Sequence, residues 1–205
     1  MSPWERVNPK QDSTLRMIHE LCIRGHEVAV THPPNLTIRD SVTLSLCKTI
    51  IGPARVSKSI PAFYRLVEFD EEMKPLKHFD VIFMRDNPPM DPLVLNFLDS
   101  IKDDVFILNA VDGLRETNNK IYTAAYYDPK RELIPATHVS KNIDYLLRII
   151  DESDNDKMIL KPLDGYGGSG VIVIEKSAMH NIKSLSDWNL SRNSKKNSVS
   201  ESLVG

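Results

Sequence analysis

Residues 161–176 read "KPLDGYGGSGVIVIEK". A lysine and a proline lead into four of the chain's eight glycines, between two short apolar runs, "MIL" before and "VIVI" after. Two familiar glycine loops do not fit. The stretch lacks the G-K-[ST] ending of a P-loop, and it runs into a strand pattern where P-loops and dinucleotide fingerprints both open a helix. What remains is strand, glycine-rich turn and strand, a hairpin flap able to lay backbone N–H groups over a phosphate chain. Lys161 falls at the end of the incoming strand, and Pro162 cannot donate to a ladder, so the chain leaves the sheet there. At an effective dielectric of about 20, a charge pair roughly 4 Å apart is worth about 4 kcal/mol, so one lysine so placed matters to a polyphosphate. An ordinary mobile hairpin with a surface lysine fits the same residues, and local physics leaves both readings open.

Working outward, "SKNIDYLLRII" predicts a helix capped by Ser140, with Ile143, Leu146, Leu147 and Ile150 turned inward. "NNKIYTAAYY" predicts a helix from Asn118 onward. "VFILN" and "FDVIFM" (79–84) are continuous apolar runs of the kind shown by strands buried on both faces, and "DNPPMDP" ends the latter. Asp91 followed by Pro92 opens a helix through Ile101 with Leu95, Phe97 and Leu98 apolar. Asp12 or Ser13 caps a helix that stops at Gly25, with Leu15, Ile18, Leu21 and Cys22 on one face, and "EVAV" follows as a strand. Leu36 to Phe69 alternates in short pieces that suit edge strands or hairpins. The alternation of strands and helices predicts an α/β domain with a largely parallel sheet, whose ligands gather at the carboxyl ends of strands. Beyond Ile174 a helical stretch "SAMHNIKSL" gives way to a Ser/Asn/Lys-rich tail with too little apolar surface to order itself.

The 205 residues are enough to bury a real core. With 41% apolar and 26% charged residues and a formal charge of −2, composition excludes a broad basic field for nucleic acid. No apolar run approaches the roughly 20 residues of a membrane span, and the start lacks a signal-type apolar core, so a cytoplasmic protein is expected. Cys22 and Cys47 lie in apolar periodicity without metal or disulfide spacing, and are expected buried and reduced. The histidines, His26 and His138 among them, do not cluster. No catalytic nucleophile and no metal ligand is singled out.

The blocks "DVIFMRDNPP", "ILNAVDGLRETNNKIYTAAY" and "MILKPLDGYGGSGVIVIE" occur in an order that resembles prokaryotic glutathione synthetases, ATP-grasp ligases, across most of residues 4–182. The resemblance implies a pre-ATP-grasp, Rossmann-like α/β domain over 1–117 and the first ATP-grasp subdomain over 118–182, with 183–205 a disordered polar tail. It implies that Lys120 and Lys161 reach the phosphates of ATP, and that Gly165, Gly167, Gly168, Ser169 and Gly170 form the flap over them. Arg85, at a strand end, is the candidate for a substrate carboxylate, with an ion pair to Asp86 or Asp91 as the structural alternative. The implied reaction is the ATP-dependent joining of γ-glutamylcysteine and glycine through an acyl phosphate, with Mg²⁺ accompanying the nucleotide. ATP, γ-glutamylcysteine and glycine are thus the expected partners. Nucleic acid and membrane are not, and a homo-oligomer is left open.

Two departures from the family pattern stand beside this. The chain starts after the family's first buried strand, and the second ATP-grasp subdomain, with the Mg²⁺ ligands, has no counterpart after Ile182. These departures imply a chain shortened at both ends, and a non-catalytic remnant or half-site ATP-binding module is the alternative function. A different ATP-grasp ligase, of the D-alanine–D-alanine or glutamate-adding kind, also remains open.

Overall fold

The first helix, α1 (Ser13–Ile23), starts where the sequence directs: Asp12 caps it, its Oδ1 accepting the Leu15 amide at 2.7 Å. Leu15, Ile18, His19 and Cys22 are buried along one face, and the helix is closed off at Gly25, whose φ of +85° a side chain would resist. The computed structural model describes residues 1–52, 57–87, 89–130, 132–164, 166–178 and 201–204. The chain divides into two units, Met1–Asp86 with Met90–Arg115, and Asn87–Pro89 with Glu116–Gly205.

In the first unit, strands β1 (Ala29–Val30), β2 (Leu36–Arg39), β3 (Val42–Ile51) and β4 (Glu68–Pro75) form one sheet. All of its pairings are antiparallel, with β3 bonded to β1, β2 and β4. The expected largely parallel sheet is therefore not what forms; of the edge strands or hairpins expected over Leu36 to Phe69, β2 and β3 form a hairpin, with β3 a central strand. The cause is local. β2 and β3 are joined by Asp40 and Ser41, with φ of 52° and 63°, a primed two-residue turn, and so short a link can only return the chain antiparallel. Parallel strands need a crossover of about a dozen residues.

Helix α2 (Ile60–Leu66) is capped by Ser59, whose Oγ accepts the Ala62 amide at 3.3 Å. Its Phe63 is fully buried and joins Trp4, Leu15, Ile18, Cys22, Val28, Val30 and Ile50 in one core. Trp4 stacks on Tyr64 at 5.3 Å and meets Phe63 and Phe69 edge-on at 6.1 and 5.1 Å, arrangements that suit the ring quadrupoles.

A second cluster in the same unit lies under β5 (Val81–Phe83), α3 (Pro92–Asp99), β6 (Phe106–Leu108) and the start of α4 (Val111–Glu116). As the sequence predicts, α3 is capped by Asp91, whose Oδ1 accepts the Leu93 amide at 2.8 Å, with Pro92 in its first turn. Strands β5 and β6 make the only parallel pair among the described residues. They are not buried on both faces as their sequences suggest: Ile82 and Ile107 turn into the cluster, whereas Val81, Phe83, Phe106 and Leu108 are 40, 38, 65 and 40% exposed. Alternation imposed by the pleat leaves one side of each strand uncovered, however apolar the run.

The second unit holds α5 (Ile121–Ala125), β7 (Thr137–Ser140), α6 (Ile143–Glu152), β8 (Lys157–Pro162), β9 (Ile172–Glu175) and β10 (Glu201–Val204). Its sheet runs β7-β10-β8-β9, antiparallel throughout. Leu146, Leu147 and Ile150 of α6 pack on Met158 of β8 and Ile174 of β9. The cap of α6 is Asn142, not Ser140: Asn142 Oδ1 accepts the Tyr145 amide at 3.1 Å, while Ser140 ends β7 opposite Glu201. α5 is shorter than the run from Asn118 suggests, because the chain turns extended at Tyr126. Of the tail expected to be disordered, 183–200 and 205 lie outside the described residues, and Glu201–Val204 is instead a strand between β7 and β8. The helical stretch expected over "SAMHNIKSL" begins with a single 3₁₀ turn at Lys176–Ala178, and the rest lies outside the described residues. No helix among the described residues is long and apolar enough to cross a membrane.

Candidate functional site

The glycine stretch forms the connection between β8 and β9, residues 163–171, as a hairpin. Below it the two strands are locked in register from Lys157↔Glu175 to Leu160↔Ile172, with Lys157 and Glu175 ion-paired at 3.0 Å. Lys161 comes just after the last β8–β9 pair, and β8 runs one residue further than expected, to Pro162, because β10 pairs with its end. Gly167, Gly168 and Gly170 take φ of +62°, +79° and +73°. Only Gly170 is also constrained by space: a Cβ there would lie 2.8 Å from Pro162 Cγ, so the outgoing stem touches the incoming one as only glycine permits. The Ser169 amide donates to Tyr166 O at 3.2 Å and the Val171 amide to Gly168 O at 3.3 Å. Among the described residues the amides of Gly167, Gly168 and Gly170 donate to no protein acceptor. Successive backbone N–H groups that point outward from such a turn are donors of the kind that anions accept. Gly165 lies outside the described residues.

Lys120 sits at the cap position of α5 and is half-buried. Its ammonium donates to Pro162 O at 2.8 Å and Leu163 O at 3.1 Å, where the loop begins. Lys120, Lys161 and the loop thus belong to one unit, and the structure brings Lys120 to the loop through backbone carbonyls. The sequence gives no sign of those acceptors, since carbonyl direction is a property of the fold.

Arg85 follows β5 in the other unit and is exposed. Its Nε donates to Thr14 Oγ1 at 3.2 Å and its Nη2 to Ser13 Oγ at 3.0 Å, in the first turn of α1. Hydroxyls aim the guanidinium there, which leaves its full charge uncompensated by them. Thr14 escaped sequence reasoning; its one signal was a second hydroxyl beside Ser13 at a helix start. Metal-ligand geometry offers nothing further, as no group of three or more His, Cys, Asp or Glu side chains among the described residues is placed to hold an ion.

Comparison with known proteins settles the lineage. The family model of the prokaryotic glutathione synthetase N-terminal domain matches residues 1–115, and that of the prokaryotic glutathione synthetase ATP-grasp domain matches residues 119–202. The chain belongs to the prokaryotic glutathione synthetase family. It is 30% identical over 180 residues to the glutathione synthetase of Escherichia coli O6:H1 (strain CFT073), covering 86% of this chain and 53% of that one. It is 27% identical over 187 residues to the Gloeobacter violaceus glutathione synthetase, covering 86 and 54%. Against the Vibrio cholerae glutathione synthetase it is 28% identical over 180 residues. The chain spans about half the length of the curated relatives it matches. The ATP-grasp match runs past Ile182 to residue 202, so the likeness to glutathione synthetases extends into the polar stretch where the motifs alone had it end.

Proposed function

We propose that the chain binds the phosphates of ATP at the β8–β9 loop and serves ligation of the glutathione synthase type, joining γ-glutamylcysteine to glycine. The observation that carries this is the loop itself: Lys161 at its entry, and Gly167, Gly168 and Gly170 with amides that donate to no protein acceptor among the described residues. Lys120 adds a second cation at the loop's base. Ser169 and Gly165 complete the proposed flap. A polyphosphate meets charge and N–H donors there without any fold-wide basicity, which a chain of formal charge −2 does not offer.

Ligation needs a carboxylate activated by phosphoryl transfer and then attacked by an amine, chemistry that rests on positioning and charge neutralisation more than on a protein nucleophile. Arg85, aimed by Ser13 and Thr14, is the proposed fork for the carboxylate of γ-glutamylcysteine. Mg²⁺ requires one or two carboxylates beside the nucleotide's own oxygens. The second reading is a half-site module that binds nucleotide without completing the reaction, since the groups gathered at the loop, Lys161, Lys120 and the glycine amides, are all of the kind that binds phosphate.

The experiment is calorimetric titration of the purified chain with MgATP, together with a glutathione assay containing γ-glutamylcysteine and glycine. Binding that Lys161→Ala weakens at least about tenfold is expected, given the worth of one charge-assisted contact. Binding without glutathione formation selects the half-site module. A folded chain that ignores MgATP overturns both.

A further inference from the structure

We infer that Lys120 is a positioning residue that pins the neck of the β8–β9 loop, acting on the loop's shape through the carbonyls of Pro162 and Leu163. Three observations meet at the same two residues. The Lys120 ammonium is within 2.8 and 3.1 Å of the two successive carbonyl oxygens, across 42 and 43 positions of sequence. Leu163 is 3% exposed, so the neck is anchored inward by its side chain as well. On the other side the Pro162 ring fills the space where a Cβ on Gly170 would lie, at 2.8 Å, so whatever holds Pro162 also sets where the outgoing stem can run.

The chemistry suits a pin. An ammonium donates without accepting, so it can gather two neighbouring carbonyls at once, and a charged donor makes these bonds stronger than neutral ones. Lys120 is itself held at the start of α5, where Asn119 Oδ1 accepts the Ile121 amide at 2.9 Å. Loops of this length and glycine content sample many shapes unless tied at the base. The pin thus selects the loop conformation in which Ser169 and Val171 make their turn bonds and the glycine amides stay open. The benefit to a nucleotide rests on the function proposed above; the pin itself does not.

The test uses the full chain as wild type, Lys120→Met and Lys120→Arg. Amide hydrogen exchange is followed at Ser169 and Val171, with Leu147 and Ile150 of α6 as internal reference. Lys120→Met is expected to speed exchange at Ser169 and Val171 about tenfold while leaving the α6 amides unchanged, the signature of local opening. Lys120→Arg, which keeps a cationic donor able to reach two carbonyls, restores most of the protection lost in Lys120→Met. Unchanged exchange at the two loop amides, equal acceleration in α6, or no rescue by arginine each overturns the inference. A parallel MgATP titration separates the two ideas: a wild-type chain that shows the exchange pattern yet does not bind MgATP removes the nucleotide reading and leaves the pin standing.

Discussion

Two hairpins among the described residues are built to opposite ends. The β2–β3 hairpin turns on Asp40 and Ser41 alone, and β3 behind it buries Thr43, Leu44, Ser45, Cys47, Thr49 and Ile50. The β8–β9 hairpin turns through residues 163–171, where Tyr166 and Val171 are 56 and 42% exposed, and even the first paired residues of β9, Ile172 and Val173, are 44 and 61% exposed. A two-residue turn fixes register and commits every side chain to one face of a sheet. A longer glycine loop gives up that certainty, and what it gains is backbone N–H groups free to meet something that is not protein. The tight turn marks where this chain stores stability; the loose one carries the amides that the proposed nucleotide site would use.

The largest expected effect tests the stable end. Phe63→Ala removes a fully buried ring from between Trp4 and His19, and should lower the unfolding free energy by about 3–5 kcal/mol in urea titration followed by circular dichroism. A loss below about 1 kcal/mol would mean that the first unit's core is far more yielding than its burial implies. Gly170→Ala probes the loose end. A left-handed φ and contact with Pro162 should cost about 1–2 kcal/mol, felt as faster exchange at Val171 and weaker MgATP binding, with the first unit's unfolding unaltered. The smallest effect has the opposite sign. Ser41→Gly relieves a φ of 63°, worth about 1 kcal/mol or more, against about 0.5–1 kcal/mol lost to a freer unfolded chain. The net is a gain of about 0.5 kcal/mol, and a loss instead would show that the Ser41 side chain holds the turn by some contact of its own.

Local signals were legible in the sequence wherever a few neighbouring residues decide the outcome. Asp12 and Asp91 cap their helices, Gly25 stops α1, and the β8–β9 hairpin lies where "MIL" and "VIVI" bracket the glycines. Ser140 was misread because a serine and an asparagine two residues apart offer the same capping chemistry, and β10 claims the serine for the sheet. The direction of the main sheet escaped because β3 reads as short alternating pieces, and nothing in "RDSV" announces that two non-glycine residues will both take positive φ. Apolar runs such as "FDVIFM" report that a strand has a buried side, not that it has two. At the candidate site, the lysines and glycines were legible by type, whereas the bonds from Lys120 to Pro162 and Leu163 and from Arg85 to Thr14 join residues distant in sequence and exist only once the chain has folded.

Strand β4 pairs with β3 alone among the described residues, and Glu68, Asp70, Glu71 and Glu72 stand exposed along it. An open ladder edge invites another chain to extend it, and a row of carboxylates repels that visitor before hydrogen bonds can form. Neutralising the row by substitution with glutamine and asparagine strips away this guard, so such a variant should grow cloudy and accumulate cross-strand aggregates where the wild-type chain stays clear.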